Sequence, residues 1–200
     1  MNSSKIKLKV VTPVLLGFFV MSFVDMVGIS VDRVSSDMNL SATLAQLIPS
    51  AAFLWFLLLS VPLGVLQSRL GKKRMLNIGI IVTILGLLFP YFFYSFAMVL
   101  VGFALLGIGN TIIQVSANPL LVDVVPGKRA TSFLSFSQFI KSIGSMLAPP
   151  LAAILAAKFG DWKLIFLVFG LVSIISLVWL AATKVIETRE AESRASWMSV

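Results

Sequence analysis

Long apolar runs alternate with short polar segments along this chain. Residues 10–30, 44–66, 75–95, 97–124, 132–156 and 162–182 are each predominantly apolar. At 1.5 Å of rise per residue, a helix of roughly 20 residues crosses a ~30 Å hydrocarbon core. The pattern predicts an all-α membrane protein with six transmembrane helices, residues 1–9 before them and a polar segment, 184–200, after them. An even number of spans puts both termini on one side. The first run carries basic flanking residues like a signal peptide, but it is about 20 residues long and has no small-x-small cleavage site. It is read as a retained helix.

Composition agrees with this pattern. Of 200 residues, 58% are hydrophobic and 12% charged, against ~25% charged in a typical soluble domain, and the mean hydropathy is +1.03. There is no cysteine and no histidine. Disulfides, thiolate catalysis, Cys/His zinc sites and Ser-His or Cys-His triads are therefore excluded, and neither an enzyme nor a cofactor is expected. A net charge of +8 points less to nucleic acid than to orientation, because basic residues gather in cytoplasmic loops. Lys5, Lys7, Lys9, Arg69, Lys72, Lys73, Arg74, Lys128, Arg129, Lys184, Arg189 and Arg194 fall on one side; Arg33, Lys158 and Lys163 fall on the other. Both termini are predicted to be cytoplasmic.

Charged groups are costly in lipid, at least ~2.5–3.5 kcal/mol each, so polar side chains within spans should face protein or a wet cavity. Span one carries Asp25, with Ser22 before it. Span four carries Asn110, Gln114 and Asn118 along one ridge, and span five carries Ser135, Gln138, Ser142 and Ser145, with Lys141 beside that stripe. Spans three and six hold little polarity and are expected to face lipid. Spans one, four and five are expected to line a polar interior, with span two as its fourth wall. Asp25 reads either as a carboxylate reaching the headgroups or, preferred, as a buried titratable acid that loads and releases a proton. Lys141 could snorkel, pair with Asp25 or bind substrate. Ser137 and Lys141, one turn apart, could formally be a hydrolase dyad, but one helical turn rarely aims a nucleophile at a substrate.

Gly102, Gly107 and Gly109 read as positions where another helix comes close. Pro119 and the Pro149-Pro150 pair predict bends or breaks in spans four and five. A short echo, Arg69-x-Gly71-x-x-Arg74 and Lys158-x-Gly160-x-x-Lys163, relates spans one to three to spans four to six. Three spans turn the second copy upside down, as in the inverted repeats of secondary transporters. From Glu187 onward the chain turns polar and reads as the start of a linker.

The loop after span two, Gly64-Val65-Leu66-Gln67-Ser68-Arg69-Leu70-Gly71-Lys72-Lys73, resembles the major facilitator signature Gly-x-x-x-Asp-(Arg/Lys)-x-Gly-(Arg/Lys)-(Arg/Lys). Ser68 stands where that signature has Asp. Within the superfamily, Gln114-Val115-Ser116-Ala117-Asn118-Pro119 and the segment from Ser135 to Gly144 are similar to the fucose permease group of sugar:proton symporters. The resemblance implies a 3+3 inverted repeat, half of a 12-helix fold, with residues 184–200 leading to a missing second bundle. It implies proton coupling at Asp25; the amides of spans four and five, which can both donate to and accept from sugar hydroxyls, make Asn110, Gln114, Asn118 and Gln138, with Lys141, the expected substrate-binding residues. Gly64, Arg69, Gly71, Lys72 and Lys73 would form the conformational loop. Gln114 replaces the group's second acid. The expected partners are a small-molecule substrate, a sugar above all, a proton and the bilayer, in a bacterial inner membrane. A drug or organic-anion exporter, or a non-transporting six-helix subunit, are the alternatives.

Overall fold

A computed structural model of the chain describes residues 7–125 and 127–187. It has six helices long and apolar enough to cross a membrane: span one Leu8–Asp37, span two Ala42–Leu70, span three Lys72–Phe92, span four Phe96–Val124, span five Ala130–Phe159 and span six Leu164–Ala182. The connections are short. Ser41 and Ser95 cap spans two and four, their hydroxyl oxygens accepting from the N–H groups of Leu44 and Met98. Span five ends on Gly160 in the left-handed conformation, φ +73°, which a residue without Cβ adopts at little cost.

Span four is the hub. A Cβ on Gly102 would lie 2.8 Å from the Gly86 carbonyl oxygen, and one on Gly109 would lie 2.9 Å from the Gly79 carbonyl oxygen, both on span three. A Cβ on Gly107 would overlap the Ala52 carbonyl of span two. The three glycines are thus close-approach positions, as the sequence predicts. Without a hydrophobic driving force between helices in lipid, such approach lets dispersion hold them together.

The packing has an internal symmetry. Span four packs on spans two and three, span one packs on spans five and six, and spans three and six also pack on each other. Exchanging one with four, two with five and three with six leaves this pattern unchanged, as an inverted repeat requires. Phe23 of span one stacks on Phe169 of span six at 4.0 Å between centroids, and Phe103 of span four meets Phe166 edge-on. At the end opposite the basic loops, Asp37 accepts hydrogen bonds from the Tyr94 hydroxyl (2.6 Å) and Trp162 Nε1 (2.9 Å), tying three connections together. Burial, then the hydrogen bond and charge of Asp37, push the Tyr94 phenol above its ordinary value. It remains a donor at neutral pH.

Three expectations need correction. Of the bends or breaks predicted at Pro119 and Pro149-Pro150, a break is not found: spans four and five are helical through those residues; neighbouring side chains and local adjustment absorb a lost donor inside a bundle. The break lies instead in span one, where Ser22–Met26 tightens to a 3-10 turn without a proline or glycine to announce it. Spans three and six do not simply face lipid. Each buries a full side, Met75, Leu76, Ile80, Ile84 and Leu87 on one, Ile165, Phe166, Phe169 and Leu180 on the other. Span two is no polar wall: it is the least enclosed span, and Phe53, Leu54, Leu57, Leu58, Val61 and Val65 lie exposed along it.

Candidate functional site

The 3-10 turn in span one packs against span five and also touches span four. Two small residues allow this. Ser22 turns its hydroxyl back to the Phe19 carbonyl at 2.6 Å, and Gly144 of span five offers no Cβ, where one would overlap the Ser22 hydroxyl. The seam between them brings Asp25 beside the residue following Gly144. Ser145 Oγ donates to Asp25 Oδ2 at 2.6 Å, and Lys141 Nζ stands 3.8 Å from the same oxygen. Of the three roles open to Lys141 in the sequence, the structure adopts the ion pair with Asp25.

All three residues sit near mid-span. Counting from the ends of their helices, Asp25, Lys141 and Ser145 lie within about 5 Å of the midpoints at 1.5 Å per residue. The Asp25 and Lys141 side chains are 31% and 27% exposed. They occupy the wall of an open face, neither sealed in the core nor extended to the ends of the helices. A pair so exposed is only partly desolvated, so its strength depends on what covers the face.

The other predicted ligands distribute unevenly. Gln114 and Gln138 are exposed. Their amides hold no hydrogen bond among the described residues, although the backbone carbonyls of both residues do, to Asn118 Nδ2 (3.1 Å) and Ser142 Oγ (2.9 Å). Asn118 is half-buried. Asn110 is not on the open face: it is 3% exposed, and its Oδ1 has no partner among the described residues. None of these four bonds to Asp25 or Lys141. Ser145, the group closest to Asp25, was legible only as one serine of the span-five stripe, and Gly144 only as the end of the segment that resembles the fucose permease group. Among the described residues, no three acidic side chains gather where they could hold a metal ion.

The loop between spans two and three forms a second constellation. Gly71 takes φ +93°, reserved in practice for glycine, and a Cβ there would also meet the Glu187 carboxylate at 3.3 Å. Glu187 accepts from the backbone N–H groups of Lys72 (2.7 Å) and Lys73 (2.8 Å), placing a negative charge on the N-terminus of span three. Lys72 Nζ pairs with Asp123 of span four at 2.6 Å, and Lys73 Nζ donates to the carbonyls of Ala181 and Thr183 at the end of span six. Ser68, in place of the signature's Asp, donates to the Val65 carbonyl. Arg69 is exposed, and Gly64 has open space around it. Of the segment read as a linker, 184–187 folds back onto the bundle here; 188–200 lies outside the described residues.

Six packed membrane-crossing helices with an inverted internal pattern and a polar pair at mid-depth define a multi-pass membrane protein built like a transporter. A profile of the Major Facilitator Superfamily matches residues 14–199, and the chain belongs to that family. It is 31% identical to a glucose/galactose transporter of Brucella abortus (strain 2308) over 148 residues, covering 72% of this chain and 36% of that one. It is 28% identical to the probable chloroplastic anion transporter 6 of Arabidopsis thaliana over 170 residues, 78% of this chain and 31% of the other. The chain spans about a third of the length of these relatives. Among solved structures, the proton:xylose symporter XylE bound to 6-bromo-6-deoxy-D-glucose superposes with a TM-score of 0.78 at 16% identity, over 92% of this chain and 46% of that one. An inward-open XylE from E. coli gives 0.75, over 88% and 47%. The fold is that of half a major facilitator transporter.

Proposed function

We propose that this chain is the amino-terminal half of a proton-coupled sugar symporter of a bacterial inner membrane, working by alternating access, with both termini cytoplasmic. Residues 10–183 form its bundle, and 184–200 begin the connection to a second bundle that covers the apolar flanks of spans two and five. The observation that carries the reading is the Asp25, Ser145 and Lys141 cluster, a titratable acid bonded to a hydroxyl and facing a cation at mid-depth on an open face.

One proton changes this cluster's balance. Ionised Asp25 holds Lys141 and accepts from Ser145; protonated Asp25 releases Lys141, whose ammonium becomes a donor for substrate. A sugar hydroxyl both donates and accepts, and the Gln114, Gln138 and Asn118 amides match that capacity without net charge. Asn110 joins them only in a conformation that uncovers it. Proton and sugar then bias the same two-state equilibrium, which is the thermodynamic content of coupling. Gly64, Arg69, Gly71, Lys72 and Lys73 act at the hinge end, where the loop tracks the second bundle. The relatives described as a glucose/galactose transporter and a proton:xylose symporter support a sugar as substrate.

The test is Asp25→Asn in the complete reading frame. Galactose or glucose accumulation against a gradient should vanish, while exchange of labelled for unlabelled sugar persists. Unchanged accumulation overturns the coupling role. An anion substrate is the second reading, favoured by Lys141 on the open face and by the Arabidopsis relative; inhibition of uptake by an organic anion but by no sugar would establish it instead.

A further inference from the structure

We propose that the groove over span one, between spans five and six, is a lipid site that takes an acyl chain of an anionic phospholipid from the leaflet beside the basic loops. The groove is lined at that end by Thr12, Leu15, Leu16, Phe136, Ile140 and Trp179, with a volume of about 480 Å³. It continues past Phe19 into a second stretch of about 290 Å³ walled by Leu147, Leu151, Ile154 and Val172. Its wall is apolar. The one hydroxyl at its mouth, on Thr12, spends its proton on the Leu8 carbonyl at 2.8 Å and keeps only acceptor lone pairs for water. A cleft so lined does not hold water, and it exists because spans five and six lean on span one more than on each other.

The groove faces away from the candidate transport site. On span five, Phe136, Ile140, Leu147, Leu151 and Ile154 form one stripe, and Gln138, Lys141 and Ser145 another, about 150° apart around the axis at 3.6 residues per turn. Gly144, Ala148 and Ala152, buried between them, make the strip that packs on span one. The occupant therefore comes from the bilayer and not from the transport pathway.

Charge selects the headgroup. Lys9 is exposed one turn before Thr12, on the same side of span one; Arg129 is exposed two turns before Phe136; Lys184 is exposed just past span six. None has an ion-pair partner among the described residues. The described acids at this end are Asp123, engaged with Lys72, and Glu187, engaged with the N-terminus of span three. Among the described residues, a phosphodiester above the groove meets cations and no unengaged carboxylate, and Trp179 sits at the depth where indoles favour the headgroup boundary.

The experiment uses the protein from its complete reading frame in nanodiscs, with a photoactivatable phosphatidylglycerol bearing a diazirine on its acyl chain, and the phosphatidylcholine analogue as comparison. Peptide mapping should place phosphatidylglycerol adducts on 12–19, 136–140 and around Trp179, well above those on the exposed apolar face at Leu85 and Ile174. Neutralising Lys9 and Arg129 together (Lys9→Gln, Arg129→Gln) should remove the preference over phosphatidylcholine, by roughly fivefold per residue at low salt. Filling the groove with Leu16→Trp should suppress labelling there with either lipid. Even labelling of all exposed apolar faces, or groove labelling indifferent to headgroup and to the two basic residues, overturns the proposal. The surface charge variant does not touch the packed core, so it decides the headgroup even where Leu16→Trp fails to fold.

Discussion

Gly144→Ala puts one methyl group into the seam that positions Asp25. The added Cβ would overlap the Ser22 hydroxyl, lie 2.9 Å from Ser22 Cβ and 3.1 Å from Phe19 Cε2. The phenyl ring can swing aside, but Ser22 Cβ is fixed to the backbone. Carbon atoms rest at about 3.5–4.0 Å, so the 3-10 turn and span five must part by about 1 Å. Overpacking of this kind costs ~1–3 kcal/mol. The same displacement takes the Ser145 to Asp25 hydrogen bond from 2.6 Å to a separation of about 3.6 Å, which is no longer a bond. It also takes the Lys141 contact beyond 4 Å from its present 3.8 Å. A hydrogen bond to a charged group contributes ~1.5–3 kcal/mol when buried, and less at the partial exposure seen here. At about 1.4 kcal/mol per tenfold, initial-rate uptake of labelled galactose should fall by roughly an order of magnitude, at equal protein abundance in the membrane. Adding Ser22→Gly removes both obstructing atoms and should restore most of the rate. Uptake at the unsubstituted rate in Gly144→Ala, or a loss that Ser22→Gly leaves untouched, would refute the reasoning.

Other outcomes follow from the same contacts. Gly107→Val drives a side chain into the Ala52 carbonyl, where backbone faces backbone, so monodisperse protein should be lost in size-exclusion chromatography. Ser145→Ala removes the donor to Asp25 and a longer contact, 3.2 Å, to the Lys141 carbonyl of its own helix; uptake should drop severalfold while the melting temperature stays within a few degrees. Glu187→Gln removes the negative charge from the span-three N-terminus, worth ~0.3–1 kcal/mol at an exposed helix end; a lower melting temperature in detergent, with sugar affinity unchanged, is expected. Tyr94→Phe deletes one of two donors to Asp37 at an exposed rim, and thermal unfolding should shift only slightly.

The six spans were legible because lipid demands long apolar runs and tolerates few charges, which leaves a strong signal in one sequence. Their ends were less so: span one continues through the polar stretch Ser30 to Asp37, which hydropathy truncates, and no residue in Ser22–Met26 advertises a 3-10 turn. The prolines of span five do not break it, since a lost backbone donor need not end a helix that neighbours support. Asp25 and Lys141 stood out as intramembrane charges, and their pairing joins residues 116 positions apart. Nothing local encodes it, nor the role of Gly144, whose importance lies in the atom it lacks. Glu187 was read as the start of a linker because its partners, the backbone N–H groups of Lys72 and Lys73, carry no side-chain signature. Asn110 shared a ridge with Gln114 and Asn118, but span four turns that ridge partly inward.

The central claim is that Asp25 couples proton movement to substrate movement, and proton flux reports it most directly. Purified protein from the complete reading frame would be placed in lightly buffered vesicles, and external pH followed on addition of galactose. The account predicts alkalinisation with the unsubstituted protein and none with Asp25→Asn, although the variant still exchanges labelled sugar. Equal proton entry with Asp25→Asn, or sugar entry into vesicles of the unsubstituted protein with no proton movement, would contradict it.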